Sequence, residues 1–113
     1  MNFWSEWCAP CRREIPMLNE LSEELVLHSI RVVGVNFDDD PYATSLEIAD
    51  TLGIAFPTLR RNELEALGLA APNVMPTTVI LDPVGNVVGR LVGLQSRESI
   101  LGKLVELGAL DAS

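Results

Sequence analysis

The sequence predicts an α/β fold in which elements alternate as β-α-β-α, then a short helix, then β-β-α, around a four-stranded mixed sheet flanked by helices. Three observations lead there. Short β-branched or aromatic runs alternate with longer stretches whose leucines and isoleucines recur at helical spacing. A Cys-x-x-Cys pair, Cys8 and Cys11, stands where the first apolar run gives way to the first helical pattern. The turn Asp82-Pro83-Val84-Gly85-Asn86 folds the last two strands into a hairpin, adding an antiparallel pair to an otherwise parallel sheet.

Met1 to Trp4 reads as the end of a buried strand and is short for a central one, which usually runs five or six residues. From Cys11 to Leu27, the spacing of Ile15, Leu18, Leu21 and Leu25 predicts an amphipathic helix; Pro10 fits its first turn, and Pro16 should kink it. Arg31 to Phe37, with Val32, Val33 and Val35, reads as a buried parallel strand ended by Asp38-Asp39-Asp40-Pro41. Tyr42 to Leu52 is the second helix, stopped by Gly53. Phe56-Pro57-Thr58 reads as a loop or short extended piece, Arg60-Arg61 as an ordinary solvated pair, Glu63 to Leu67 as a short helix, and Ala71-Pro72-Asn73 as a turn. Thr77 to Leu81 and Val87 to Leu94 are the hairpin strands. Ser96 caps a last helix that buries Ile100, Leu101, Leu104 and Leu107 and ends at Gly108; the tail Ala109 to Ser113 should fray.

With 113 residues and 48% apolar content, the chain can bury one modest core, so residues 1–113 are expected to form a single domain. A net charge of −8, scattered along the chain, argues against nucleic acid as a partner. No apolar run approaches the roughly 18 residues of a membrane span, and no charged segment followed by an apolar run precedes the first element, so no direct membrane contact is expected from this chain. Two cysteines and the lone His28 fall short of a four-ligand zinc site, and His28 reads as a solvated residue near a helix end.

Chemistry therefore centres on the cysteines. At a helix start the pair sits one turn apart, close enough to bridge without bending the backbone. Unpaired N–H groups and the helix dipole favour thiolate at the cap, which marks Cys8 as the nucleophile.

Trp4-x-x-Trp7-Cys8-Ala9-Pro10-Cys11, Glu14-x-Pro16 and Met75-Pro76-Thr77-Thr78-x-Ile80-x-Asp82-x-x-Gly85 together resemble the thioredoxin superfamily, and the nearer branch is the TlpA/ResA-like thiol-disulfide oxidoreductases. The likeness spans nearly the whole chain. It implies a thioredoxin-like fold with a shortened first strand, no cofactor, and a cis Met75–Pro76 bond facing the cysteines, where the Met75 backbone can pair with an extended substrate. It further implies a substrate-binding surface of Trp7, Pro10, Met75, Pro76 and Gly93, the last as a glycine that leaves room beside the groove. Thioredoxins proper carry a buried carboxylate where Asn2 stands, and Asn2 cannot titrate. In the TlpA/ResA-like branch a glutamate three residues past the second cysteine takes part in proton transfer, and Glu14 matches it; the alternative for Glu14 is an exposed carboxylate beside Arg12 and Arg13.

The function these residues suggest is reduction or exchange of protein disulfides through Cys8 and Cys11, with Glu14 as proton acceptor and a thiol reductase as electron donor, which the resemblance implies is membrane-bound. The resemblance implies a bacterial periplasm or cell envelope, with the cytoplasm as the alternative location. A non-catalytic module that holds a partner in the cis-proline groove is the competing function. A peroxiredoxin is disfavoured, because the Pro-x-x-x-Thr-x-x-Cys peroxide pocket is absent from the sequence.

Overall fold

A computed structural model describes residues 1–111. Five strands form one sheet in the order β3-β2-β1-β4-β5: β1 (Asn2–Trp4), β2 (Gly34–Asn36), β3 (Thr58–Leu59), β4 (Thr77–Leu81) and β5 (Val87–Val92). β1, β2 and β3 are parallel, β4 runs antiparallel to β1, and β5 runs antiparallel to β4. The sheet is mixed, as predicted, with one strand more than the four expected. The extra strand is the two-residue β3, just after Pro57, whose carbonyl accepts a hydrogen bond from the Gly34 N–H (2.8 Å). Two residues are too few to show an alternating pattern in sequence.

Four helices complete the chain: α1 (Ala9–Leu25), α2 (Tyr42–Thr51), α3 (Arg61–Ala66) and α4 (Arg97–Glu106). α1 begins two residues earlier than its leucine pattern, because Cys8 serves as its cap. It is continuous through Pro16, which is exposed on its outer side, and tightens into a 3₁₀ turn at Val26–His28.

Side chains alternate across the sheet with period two. Phe3, Val35 and Val79 pack with Leu64 of α3. On the opposite face, Ile80 and Leu91 meet a cluster of Leu18, Leu21 and Leu25 from α1 with Ile100 and Leu104 from α4. An ion pair between Arg97 and Glu24 (2.6 Å) also ties α4 to α1. The expected fraying does not begin at Ala109: the N–H groups of Ala109 and Leu110 donate to the Leu104 carbonyl (2.9 and 3.3 Å), and Leu110 packs on the core. Ala112 and Ser113 lie outside the described residues.

Gly34 lets three layers meet closely. A Cβ there would stand 2.9 Å from Phe56 and 3.0 Å from both Thr58 Oγ1 and Trp4 Nε1. The space is filled by the Trp4 indole, which donates to Thr58 Oγ1 (2.8 Å) and fixes β3 against the sheet.

Candidate active site

β1 delivers the chain into Ser5-Glu6-Trp7, and Cys8 then caps α1 with extended backbone angles. The Cys11 N–H donates to Cys8 Sγ (3.3 Å), so the first sulfur occupies the position of a capping oxygen. Pro10 lies in the first turn, where its missing N–H costs no hydrogen bond. Cys8 and Cys11 form a disulfide with their Cα atoms 5.3 Å apart. In this oxidised form Cys8 is 4% and Cys11 1% exposed, so the contrast in access that a nucleophile and a resolving thiol would show is slight. Trp4 and Ala49 form one buried cluster with the pair, and the partly buried Met75 packs against that cluster.

Trp7 is 64% exposed. It is held in place nonetheless: its indole N–H donates to Asp38 Oδ1 (2.9 Å), its ring stands edge-on to Phe37 (centroids 6.3 Å apart), and Asp38 Oδ2 accepts from the Ser5 hydroxyl (2.7 Å). Arg61 lies over the Phe37 ring, 4.9 Å from its centroid, and pairs with Glu65; Arg60 pairs with Glu63. The arginine pair is thus half-buried and engaged, unlike the solvated pair expected from sequence. Asp38 itself is positioned by Asn36, whose Oδ1 accepts from the Asp38 N–H (2.9 Å).

Glu14 is 1% exposed, so it is not the surface carboxylate that its neighbours Arg12 and Arg13 would suggest; both of those are exposed. The helix turns Glu14 inward. Its Oε1 accepts from Asn2 Nδ2 (3.1 Å) and its Oε2 from the Gln95 N–H (2.8 Å). Burial raises its pKa above the ordinary carboxylate value, and the two hydrogen bonds offset that only in part. Asn2 Nδ2 also donates to Thr78 Oγ1 (3.1 Å), while Asn2 Oδ1 is buried with no partner.

The Met75–Pro76 bond is cis, as the resemblance implied. Pro76 is buried, and its carbonyl accepts from the Gly93 N–H (2.8 Å). A Cβ at Gly93 would meet nothing in this chain within 4 Å, whereas its φ of 85° is one that side-chain-bearing residues rarely adopt. Backbone conformation by itself favours glycine there. Val74, Val92 and Leu94, the neighbours of Met75 and Gly93, leave apolar side chains exposed.

Residues 1–90 match the family model described as AhpC/TSA family. The chain belongs to the AhpC/TSA family. Thioredoxin-like protein YneN from Bacillus subtilis (strain 168) is 36% identical over 109 residues, covering 92% of this chain and 61% of that protein. Thiol-disulfide oxidoreductase ResA from Bacillus thuringiensis (strain Al Hakam) is 27% identical over 107 residues, covering 95% of this chain and 61% of its own length. The crystal structure of a secreted thiol-disulfide isomerase from Corynebacterium glutamicum matches with a TM-score of 0.69 and 26% identity, over 89% of this chain and 64% of that one. This chain therefore spans about six-tenths of the curated relatives it matches.

In this AhpC/TSA-family chain the fold brings Cys8, Cys11 and Met75 together and places Glu14 one turn beyond Cys11 on α1. His28 is exposed in the 3₁₀ turn. Among the described residues no cluster of His, Cys, Asp or Glu could hold a metal ion, and no helix is long and apolar enough to cross a membrane. Sequence reasoning missed Asp38, Gln95 and Thr78. Asp38 was absorbed into an acidic turn, Gln95 acts through its backbone, and Thr78 is an ordinary strand residue by type; none carries a local signal of its partner.

Proposed function

We propose that this chain performs thiol-disulfide exchange on protein disulfides. The observation that supports the reading best is the Cys8–Cys11 disulfide built into the first turn of α1, with Cys8 Sγ accepting the Cys11 N–H and Met75 packed against the cluster that holds the pair. In the reduced protein, that N–H and the helix N-terminus stabilise negative charge on the Cys8 sulfur. The Cys8 thiolate attacks one sulfur of a substrate disulfide, forming a mixed disulfide and releasing the other substrate sulfur as a thiolate. Cys11 gives its proton to Glu14 and attacks the Cys8 sulfur. The substrate leaves with both sulfurs reduced, and Cys8–Cys11 has given up two electrons. A dithiol reductase must return them.

Glu14 suits the proton step because it is buried, has no ion-pair partner among the described residues, and holds its proton more tightly than an ordinary glutamate. Trp7, Pro10, Met75, Pro76 and Gly93 form the proposed substrate surface, with the exposed Val74, Val92 and Leu94 as an apolar margin suited to an extended, unfolded segment. An extracytoplasmic setting fits a fold neighbour described as secreted.

Insulin reduction by dithiothreitol tests the activity. Wild type should accelerate it over a Cys8→Ser control, and equal rates would exclude the enzyme and leave a binding module. Cys11→Ser should stall as a mixed disulfide on Cys8, and sequencing of the trapped protein would name the substrate.

A further inference from the structure

The amide of Asn2 is paired unevenly. Nδ2 donates two hydrogen bonds, to Glu14 Oε1 and Thr78 Oγ1, while Oδ1 on the same group is buried without a partner. An orphaned buried acceptor costs about 1–3 kcal/mol and is uncommon in folded proteins. The ionised carboxylate explains the orientation, because it can only accept and so needs the NH₂ of Asn2 turned towards it.

Proton uptake reverses that demand. Protonated Glu14 carries a buried O–H that must find an acceptor. The Gln95 N–H is a donor and cannot serve, and no charged side chain from β1, β4, or the β5–α4 loop pairs with Glu14; Arg12 and Arg13 on its own helix are exposed. Asn2 Oδ1 is a buried side-chain acceptor with no partner, on a residue already bonded to Glu14. A half-turn about the Asn2 Cβ–Cγ bond exchanges the two ends of the amide. Oδ1 then accepts from the Glu14 O–H and from the Thr78 hydroxyl, which can donate as readily as it accepts. Two hydrogen bonds are made in each orientation, and one end of the amide is left unpaired in each: Oδ1 beside the carboxylate, Nδ2 beside the acid.

We propose that Asn2 is a positioning residue that partners Glu14 in both protonation states, turning its NH₂ to the carboxylate and its C=O to the carboxylic acid, with Thr78 as the common contact. The importance of this for catalysis rests on Glu14 being the proton acceptor. An aspartate at position 2 would face Glu14 with a second negative charge, and an apolar residue would support neither state. Asparagine is the side chain that keeps Glu14 hydrogen-bonded before and after it takes a proton from Cys11.

Nuclear magnetic resonance on the full oxidised chain, in which neither cysteine titrates, reads this directly. The Glu14 carboxyl carbon is followed against pH together with the Asn2 side-chain NH₂ signals and their Overhauser contacts to the Thr78 methyl group. The Asn2 contacts should be lost on acidification with the same midpoint as the Glu14 carboxyl, and in Glu14→Gln they should be constant over that range. Contacts that persist unchanged through the Glu14 transition, or that change equally in Glu14→Gln, overturn the proposal. The catalytic reading fails separately, by an unchanged pH profile of thiol exchange in Glu14→Gln.

Discussion

Glu14 on α1 and Gln95, 81 residues later in the loop before α4, are joined by a 2.8 Å hydrogen bond from the Gln95 backbone N–H to Glu14 Oε2. The bond ties α1, which Cys8 caps and which contains Cys11, to the loop after β5, the strand paired with β4. Gln95 lies two residues past Gly93, whose N–H holds the Pro76 carbonyl. The proposed proton acceptor and the proposed substrate groove thus share one short loop.

Burial outweighs hydrogen bonding at Glu14, so its folded pKa lies above the ordinary value of 4.5. A carboxyl raised in this way adds stability below 4.5 that is lost as pH rises through the folded value. Urea denaturation over a pH series should show Glu14→Gln gaining stability relative to wild type as pH rises through that range; the opposite slope would place the hydrogen bonds above desolvation. The same variant should slow resolution of the mixed disulfide by about 10²-fold, the size of a general-base contribution, as measured by stopped-flow with a model peptide disulfide.

Asp38 holds Trp7 and Ser5 with its two carboxylate oxygens. Asp38→Ala removes both bonds and frees an indole that is already largely in solvent. Loss of about 1 kcal/mol for each of the two bonds should raise KM by up to about thirtyfold for a protein substrate with kcat little changed, because the sulfurs are untouched. Fluorescence anisotropy of Trp7, read in a Trp4→Phe background, should fall in parallel. A fall in kcat at constant KM would remove Trp7 from the docking surface.

Two glycines should fail for different reasons. Gly34→Ala drives a methyl group into Phe56, Thr58 and Trp4 and should cost about 1–3 kcal/mol as overpacking. Gly93→Ala meets no atom but must hold a φ of 85°, which should cost about 1–2 kcal/mol. Denaturant midpoints give both numbers, and Gly93→Asn, whose side chain tolerates left-handed backbone, should recover part of the second loss but none is expected from Gly34→Asn.

The helices and hairpin were legible because their signals are local: the leucine spacing of α1, the β-branched run of β4, the Asp82–Asn86 turn and the Ser96 cap. The cysteine pair was legible for the same reason. What escaped depends on partners far apart in sequence. Glu14 stands between arginines and a proline, so its burial follows only from Asn2 and Gln95 closing on it. β3 exists because Gly34 and Trp4 admit it, and Asp38 matters because Trp7 and Ser5 reach it. Ala109 and Leu110 look like a free tail until the Leu104 carbonyl is seen to hold them.

The amino group of Met1 sits inside the sheet, donating to the Val79 carbonyl (2.8 Å) while the Val79 N–H donates back to the Met1 carbonyl (2.8 Å). Burial lowers its pKa from 8.0 to about 6. The unfolded chain binds this proton between those values and the folded chain does not, so stability present above pH 8 should decline as pH falls to about 6, by about 2–3 kcal/mol. Acetylation of the amine, or residues placed ahead of Met1, replaces it with an uncharged N–H that can make the same bond. That change should abolish the decline between pH 8 and 6. Met1 lies at an apolar pocket whose lining includes Val33, Ile80, Leu21 and Leu104. Residues added in an alternating apolar pattern would continue β1 along it, antiparallel to β4. Such an extension should raise Tm, whereas a polar extension of equal length should abolish the pH dependence alone; equal Tm for the two would show that the pocket does not take up a strand.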